Sequence, residues 1–576
     1  MKLLIEESPV WLWLTASDKQ VIAGIYDKFK VHPPDYWRSP TFQLYKRTDG
    51  EHGWDGYVRF AKPWRGPLTC CLPRGFKEEL LTHCEMGEID VQKKLLTSPL
   101  SGCTVDDVPA KLLTGSFELD YDQRMCICEL LQHGFGLIEA TVSAGKTAIF
   151  LGLVCMVKKA MPSARFLYIV PTERLVKQVY SECGVLAKKM RVSQFGGGKR
   201  DKTGADIVVA TSASVALNIE ELEGEGWLRS FTGLIYDEVH RAGSPSGRKI
   251  CDSVPAFFRW GGSDSVKDTR KEDALKGAVI RSMFGPVRHR IKAEGLIEIG
   301  RLAKPNIYLV DVEEWQGKFD DIPRVAMPDT VAWCLIKNQW QKGTYVGPVY
   351  EQDETGAVKR DRNGDGIPVI NMHNIRINDV ERPVESRWCL LNRQHDKSII
   401  RFRERNELIV RWARYYAVDN KWPTLVVATR TLHCIILESM LLEAGCEVRV
   451  LTGQDSTKTR DEVFAWLLEK HGRVLVSPLV KEGVSLPDLK AGVIADYVAG
   501  PDTARQILGR FIRRKPTGDN HAHVTMFIER QADTYHTGSK RLLKELDRLR
   551  GFTYYWPVLG PDSIATAAKY DAANTE

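Results

Sequence analysis

At 576 residues the chain is long enough for three or four domains with large cores, by a usual domain size of about 100–200 residues. A formal net charge of +7 at pH 7 is mildly basic, which suits a protein lying along a nucleic-acid backbone without requiring one. Thirteen cysteines occur without a C-x-x-C pair, and Cys70-Cys71 and Cys126-x-Cys128 lack zinc-ligand spacing, so the thiols point to a reducing cytoplasm rather than to a zinc or disulfide framework.

The opening Met1-Lys-Leu-Leu-Ile-Glu-Glu7 is too short and too acidic for a signal peptide. No segment approaches the roughly 18 apolar residues of a membrane span, and the expectation is a soluble cytoplasmic protein with no membrane partner. Residues 1–105 form a block of their own, expected to be a small N-terminal α/β accessory domain, with Trp11, Trp13, Trp37, Trp54 and Trp64. Val10–Leu14 reads as a strand, and Ser17 with Gln20 reads as a capping box opening a helix to about Phe29. Aromatic, Gly and Lys/Arg residues then mix through Tyr36–Arg74. The rings serve either as core or as a DNA contact surface, and the sequence leaves both open.

From 106 to 302 strands and helices alternate, as expected of a parallel sheet. Phe135–Ile138 reads as a strand, Thr147–Val157 as a helix, and Ala140-Thr-Val-Ser-Ala-Gly-Lys-Thr147 as the loop between them. Backbone N–H groups of Val142, Ser143, Ala144 and Gly145 can surround phosphate oxygens, Lys146 can reach the β- and γ-phosphates, and the Thr147 hydroxyl can bind Mg²⁺. Alone this could be any glycine-containing turn, since Ala140 stands where the strict pattern has Gly. Downstream, Phe231-Thr-Gly-Leu-Ile-Tyr236 is a strand delivering Asp237-Glu-Val-His240 at its carboxyl end. Asp237 suits Mg²⁺, Glu238 suits the attacking water, and His240 is placed to link the nucleotide site to its neighbours. The order and spacing of loop and acidic pair point to ATP and Mg²⁺ as cofactors.

A second alternating set, with strands at Thr424–Ala428, Glu447–Leu451, Arg473–Ser477, Val493–Ala495 and Val524–Phe527, places another domain at 303–530. Within it 323–390 reads as an irregular insertion. Asp361-Arg-Asn-Gly-Asp-Gly366 copies the start of a calcium loop, but position twelve is Met372 where a bidentate Glu is needed, so it reads as a turn. Residues 531–576 read as a basic helix and tail.

These residues together resemble the superfamily 2 helicases, and within them the phage branch-migration helicases of the UvsW type. Gln123, in Leu119-Asp-Tyr-Asp-Gln123, resembles the glutamine motif that reads adenine; Val170-Pro-Thr-Glu-Arg-Leu175 resembles motif Ia and Thr211-Ser212 motif Ib. Gly196-Gly-Gly-Lys199 resembles a glycine run between them, and Trp54-Asp-Gly56 with Tyr57-Val-Arg-Phe60 resembles the accessory domain of the phage enzymes. Arg259-Trp-Gly-Gly-Ser-Asp-Ser265 stands at motif III, with Asp264 and Ser265 in place of the usual Ala and Thr. Further on, Ala428-Thr-Arg430 resembles motif IV, Ser477 with Glu482-Gly-Val-Ser-Leu-Pro487 motif V, and Gln506-Ile-Leu-Gly-Arg-Phe-Ile-Arg513 motif VI.

The resemblance implies an α/β fold with two RecA-like parallel-sheet domains in tandem. It implies Arg513 as an arginine finger, Arg510 as a second phosphate contact and Gln506 as a coupling residue. Thr172, Arg174, Thr211, Ser212, Arg430, Thr452 and Ser477 become the candidate nucleic-acid contacts. The implied activity is ATP-dependent unwinding and remodelling of branched, single-stranded or duplex DNA, RNA–DNA hybrids included, in recombination, replication and repair. The implied setting is a bacterial host cytoplasm, with the protein a monomer working beside recombination or single-strand-binding proteins. A duplex translocase, an RNA helicase and a nucleic-acid scaffold with a vestigial ATP site stay as alternatives.

Overall fold

In a computed structural model the apolar run Phe166–Val170 is a strand with every side chain buried, as a parallel strand covered on both faces must be. The structure describes residues 1–33, 36–114, 117–141, 143–264, 274–312, 330–336, 339–352, 358–359, 368–377, 380–385, 389–391, 400, 403–453, 455–469, 472–478, 489–496, 507–515, 519–529, 553–558 and 561. They fall into two units, Met1–Ile299 and Gly300–Glu576.

The first unit opens with strands β1 (Lys2–Glu7), β2 (Trp11–Ala16), β3 (Lys62–Trp64), β4 (Gly66–Pro73) and β5 (Asp90–Lys94), forming one sheet in the order β3-β4-β2-β1-β5. Helix α1 (Lys19–Lys28) begins one residue later than the sequence suggests. Asp18, not Ser17, caps it by accepting from the Gln20 N–H at 2.8 Å, while the Ser17 hydroxyl accepts from the Lys2 N–H. Leu12 and Leu14 point inward, and Trp11 and Trp13 take the opposite face of the same strand.

Eight further strands make the motor sheet of this unit: β6 (Phe135–Ala140), β7 (Phe166–Val170), β8 (Val192–Gly196), β9 (Lys199–Arg200), β10 (Ile207–Thr211), β11 (Gly233–Asp237), β12 (Phe258–Ser263) and β13 (Val287–Ile291). Their order is β9-β8-β10-β7-β11-β12-β6-β13, parallel throughout except for the β8–β9 hairpin. Among the described residues the N-terminal sheet shares its core with the motor sheet. One apolar cluster runs from Leu3, Leu12 and Ile25 through Phe76 to Leu137, Ile169, Tyr236 and Phe284. Gly75, two residues before helix α2 (Lys77–Met86), makes the join feasible, since a Cβ there would stand 1.8 Å from the Arg281 carbonyl oxygen on helix α7 (Ala274–Phe284).

In the second unit β14 (Lys304–Val312) lies in the motor sheet, outside the alternating set seen in the sequence. Strands β15 (Thr330–Ile336), β16 (Gln339–Tyr350), β17 (Pro368–Ile377), β18 (Val380–Glu385) and β19 (Cys389–Leu391) correct the reading of 323–390 as irregular. They form an antiparallel sheet ordered β18-β17-β16-β15-β19, paired from Thr330↔Tyr345 to Ile336↔Gln339 in its first hairpin. The physical reason is a series of β-branched and aromatic runs whose short spacing favours hairpins. The calcium-like stretch 361–366 lies outside the described residues.

The motor sheet is completed by β20 (Thr424–Val427), β21 (Glu447–Val450), β22 (Arg473–Ser477), β23 (Ala491–Ile494), β24 (His521–Glu529) and β25 (Thr553–Val558), in the order β21-β22-β20-β23-β24-β14-β25. Strand β25 takes part of what reads as tail in 531–576, and the helix expected before it lies outside the described residues. Thr553-Tyr-Tyr-Trp-Pro-Val558 is an aromatic strand-former, and Pro557, lacking an N–H, is tolerated because β25 is an edge. No helix among the described residues is long and apolar enough to cross a membrane.

Candidate functional site

In a parallel sheet the carboxyl ends of the strands share one edge, and the first unit uses that edge repeatedly. The register pairs Asp237 with Gly262, Thr211 with Val170 and Ser263 with Glu139, so the ends of β6, β7, β10, β11 and β12 lie level. The phosphate loop leaves β6 and enters helix α4 (Lys146–Ala160). Gly145 sits at φ 83°, and a Cβ there would come within 2.5 Å of Gln123 Nε2. Ser143 is also left-handed, at φ 67°, so two consecutive kinks separated by Ala144 curl the loop. Lys146 Nζ donates to the Ala140 carbonyl at 3.3 Å, folding the side chain back over the loop it would serve. Thr147 is half-buried in the first turn of α4. Val142 lies outside the described residues.

Helix α3 (Tyr121–His133) holds this loop from beneath. Asp120 caps it by accepting from the Gln123 N–H at 2.7 Å, and Gln123 Oε1 accepts from the Asp120 N–H at 3.1 Å. The remaining end of that carboxamide, Nε2, donates to the Ala144 carbonyl at 2.9 Å, with Gln123 only 1% exposed. Gln123 is therefore a strut between helix cap and phosphate loop, a function that the glutamine motif alone did not disclose.

Asp237 ends β11 and is almost buried, and Glu238 follows at φ 50°, a left-handed backbone for a residue with a side chain. The turn is closed by the Glu238 N–H donating to Asp237 Oδ1 at 3.0 Å. Burial and the adjacent Glu238 carboxylate push Asp237 upward, with Lys146 opposing them. Burial works upward on Glu238 too, but Lys146, His240 and Arg241 outweigh it and hold that carboxyl low. Glu238 Oε2 has no partner at good hydrogen-bond geometry, and the His240 imidazole lies beside it, with Nδ1 at 3.4 Å. The same His240 nitrogen lies 3.0 Å from Ser263 Oγ at the end of β12. Ser263, fully buried, belongs to the motif III stretch but was not singled out; its position as the last residue of a strand beside the acidic one is the signal that could have found it. Ser265 lies outside the described residues.

A hydroxyl at Thr147, a carboxylate at Asp237 and an unsatisfied acid oxygen at Glu238 form an oxygen set suited to Mg²⁺ that keeps part of its water shell. The loop amides and Lys146 suit the phosphates of a nucleotide. The residues fit Mg²⁺–ATP.

Farther along the same edge, Thr172 caps helix α5 (Glu173–Leu186), accepting from the Leu175 N–H at 3.4 Å, with Arg174 half-buried in its first turn. Thr211 caps helix α6 (Ser212–Leu217), accepting from the Ser214 N–H at 3.1 Å and bonding Ser214 Oγ at 2.7 Å. The glycine run lies beside both: a Cβ on Gly196 would meet Ser214 Oγ at 2.8 Å, and one on Gly197 would meet the Glu173 carboxyl carbon at 3.5 Å. Both threonine hydroxyls are thus tied into helix caps.

In the second unit Arg430 is the N-cap of helix α8 (Thr431–Glu443) and is exposed. The N–H of the preceding Thr429 donates to Asp496 Oδ2 at 2.6 Å, which ties motif IV to the end of β23; Asp496 escaped sequence reasoning. Thr452 bonds Asp455 through both its N–H and its hydroxyl, at 2.6 and 3.0 Å. Ser477 is buried at the end of β22. Ile507, Leu508, Phe511 and Ile512 enter the core of this unit, leaving Arg510 and Arg513 half-buried on the other side of the same turn. Gln506 lies outside the described residues, as do Glu482–Pro487.

Residues 120–260 match the DEAD/DEAH box helicase family and residues 406–515 match the helicase conserved C-terminal domain. The DNA 3'-5' translocase XPB2 of Sulfurisphaera tokodaii is 22% identical over 502 residues, covering 84% of this chain and 97% of that protein. Among solved structures, T4 UvsW aligns with 96% of this chain and 99% of its own at 16% identity and a TM-score of 0.40. A second UvsW helicase structure from bacteriophage T4 covers 50% of this chain and 100% of its own at 19% identity and a TM-score of 0.39. The two family matches, with a phosphate loop and an acidic pair on a parallel sheet, define a nucleotide-driven motor of two RecA-like halves. The chain carries the two helicase domains found together in superfamily 2 helicases and translocases, and such domains imply ATP binding.

Proposed function

We propose that the chain is an ATP-dependent DNA helicase that remodels branched DNA, through junction migration and through fork and R-loop processing, in recombination, replication and repair. The observation that carries this reading is the shared edge. Lys146, Asp237 and Glu238 stand level with the Thr172 and Thr211 caps and the glycine run, so chemistry and a phosphate-gripping surface lie on the same strand ends. Thr147 and Asp237 would hold Mg²⁺, which neutralises charge on the β- and γ-phosphates when bound. Lys146 binds the phosphates, and Glu238, held charged and with one oxygen free of hydrogen bonds, orients the attacking water and takes its proton. His240 and Ser263 position Glu238 from the next strand. Arg510 and Arg513 supply positive charge to the transition state, the role that the resemblance implies for them.

Thr172, Arg174, Thr211, Ser212, Arg430, Thr452 and Ser477 mark the helix starts and strand ends that hold the DNA backbone. Such contacts are tolerant of sequence and sensitive to salt. A second reading, movement along duplex DNA without strand separation, is favoured by the relative described as a DNA 3'-5' translocase. Forked, four-way and RNA–DNA hybrid substrates, assayed side by side with displacement of a third strand from a triplex, separate the two. Strand separation on fork and junction is the expected result. Triplex displacement with no separated product supports the second reading, and absence of DNA-stimulated phosphate release removes both.

A further inference from the structure

At the free edge of the N-terminal sheet, between α1 and the turn from β3 to β4, lies a cavity of about 330 Å³ that the motor chemistry does not use. Buried Ile22 forms its floor, half-buried Tyr26 and Trp64 its sides, and exposed Arg65 and Pro67 its rim, with no carboxylate among the residues that line it. The Trp64 ring is braced from β2 by Trp13, centroid to centroid 4.6 Å. The Arg65 guanidinium lies 4.5 Å from the Trp64 ring, so a cation and an indole are presented together.

The turn that presents them is held in an unfavourable shape. Arg65 has φ 49°, a left-handed conformation where glycine would be relaxed, and the next residue is Gly66. Thr69 closes the turn by donating to the Trp64 carbonyl, and its hydroxyl also lies 3.1 Å from the Gly66 carbonyl oxygen. Backbone strain of this kind persists where surroundings enforce it, and it concentrates at ligand clamps.

We infer that this cavity receives one unstacked base of a DNA strand, with Trp64 and Tyr26 against the base and Arg65 at the adjoining phosphate. The inference rests on the DNA reading above. The volume lies at the small end of ligand pockets, about 300–1,000 Å³, which fits one flat ring system rather than a peptide segment. The interior is aromatic and uncharged, which suits a π-face and does not suit a free anion. The basic rim suits the backbone that any such base carries. A site for an unstacked base ignores sequence and discriminates against fully paired duplex, so it selects forks and junctions. Because the N-terminal and motor sheets share one core, a base held here is fixed to the first motor sheet.

The test uses the full chain and a forked DNA with 2-aminopurine in its single-stranded arm, read by anisotropy and by 2-aminopurine fluorescence. Trp64→Leu keeps apolar packing against Trp13 and removes the stacking face, whereas Trp64→Phe keeps a face. Trp64→Leu should bind the fork about tenfold more weakly, at low and high salt alike because stacking rather than ion release is lost, and should abolish the fluorescence change. Trp64→Phe should restore both. Fork binding by Trp64→Leu equal to wild type overturns the inference, as does equal loss in the Leu and Phe variants. Stimulation of wild-type ATP hydrolysis by single-stranded DNA reports on the motor reading separately. With stimulation present and Trp64→Leu unaffected in fork binding, only the base site falls; with stimulation absent, the motor reading falls first.

Discussion

Strand β6 carries buried charge at both of its ends, and the two ends treat it in opposite ways. At the amino end Arg74 lies 4.5 Å from the Phe135 ring and 4.7 Å from Phe257, donates from Nε to Glu7 at 2.6 Å and from Nη1 to the Phe257 carbonyl at 2.6 Å. Glu7, with a fully buried side chain, also accepts from Lys77 Nζ at 3.2 Å and from the Leu96 N–H at 3.0 Å. Both oxygens of that carboxylate are satisfied. At the carboxyl end Lys146 folds onto a carbonyl, Asp237 is pushed upward by burial and by its acidic neighbour, and Glu238 keeps an oxygen without a hydrogen bond. The cohesive cluster satisfies both oxygens of its carboxylate and leaves only Arg74 Nη2 without a hydrogen-bond partner, whereas the chemical cluster leaves a carboxylate oxygen open, where a substrate can meet it.

The largest expected effect breaks the carboxyl end alone. Glu238→Gln should retain ATP binding and lose turnover by about 10²–10⁴-fold, because the phosphate cradle survives while the base does not. Phosphate release and nucleotide affinity measured together check it, and near-normal turnover would remove Glu238 from the proposed role.

Arg513 sharpens the same contrast from the second unit. If it acts on the transition state, Arg513→Ala should lower kcat by about 10³-fold with little change in ATP affinity or in melting temperature. A fall in affinity alone would make it a ground-state contact, and a fall in melting temperature alone would make it a cohesive charge like Arg74.

The reverse pattern is expected at the amino end. Arg74→Met leaves Glu7 with one cation fewer in a buried setting, and removing one partner of a buried pair costs about 3–5 kcal/mol. The denaturant midpoint should drop accordingly while ATP turnover per folded molecule stays near wild type. The shared core also means that deleting residues 1–105 would uncover Phe135 and Phe257 together, so point substitutions are the cleaner probe.

Much of this was legible in the sequence, for a specific reason. A parallel strand covered on both faces is a continuous apolar run, and Phe166–Val170 and Arg473–Ser477 have the same limits in sequence and structure. The acidic pair and phosphate loop were legible because both sit at strand ends where spacing is fixed. Strand β1 was missed because it is only six residues long and its Leu3-Leu4-Ile5 run shows no alternation with polar residues. The sheet over 330–391 was read as irregular because Gly and Pro interrupt its runs. Contacts between distant residues leave no local trace, and Ser263 with His240, or Asp496 with Thr429, could not be read from spacing.

The Gln123 strut is such a contact, and it gives the smallest effect and the finest test of the contrast. Its carboxamide joins the Asp120 cap to the Ala144 carbonyl, so it contributes cohesion at the chemical end of β6. Gln123→Ala removes one hydrogen bond of about 1 kcal/mol from the loop and part of the capping box of α3. If the strut only holds the loop in shape, ATP affinity should weaken by about fivefold with kcat nearly unchanged, and ATP and GTP should be affected alike. If the glutamine also reads adenine, as the resemblance implies, the preference for ATP over GTP should fall as well. Glutamate at 123 keeps the acceptor for the Asp120 N–H but cannot donate to Ala144. A loss in Gln123→Glu equal to that in Gln123→Ala therefore assigns the effect to the loop tether, and a smaller loss assigns it to the cap.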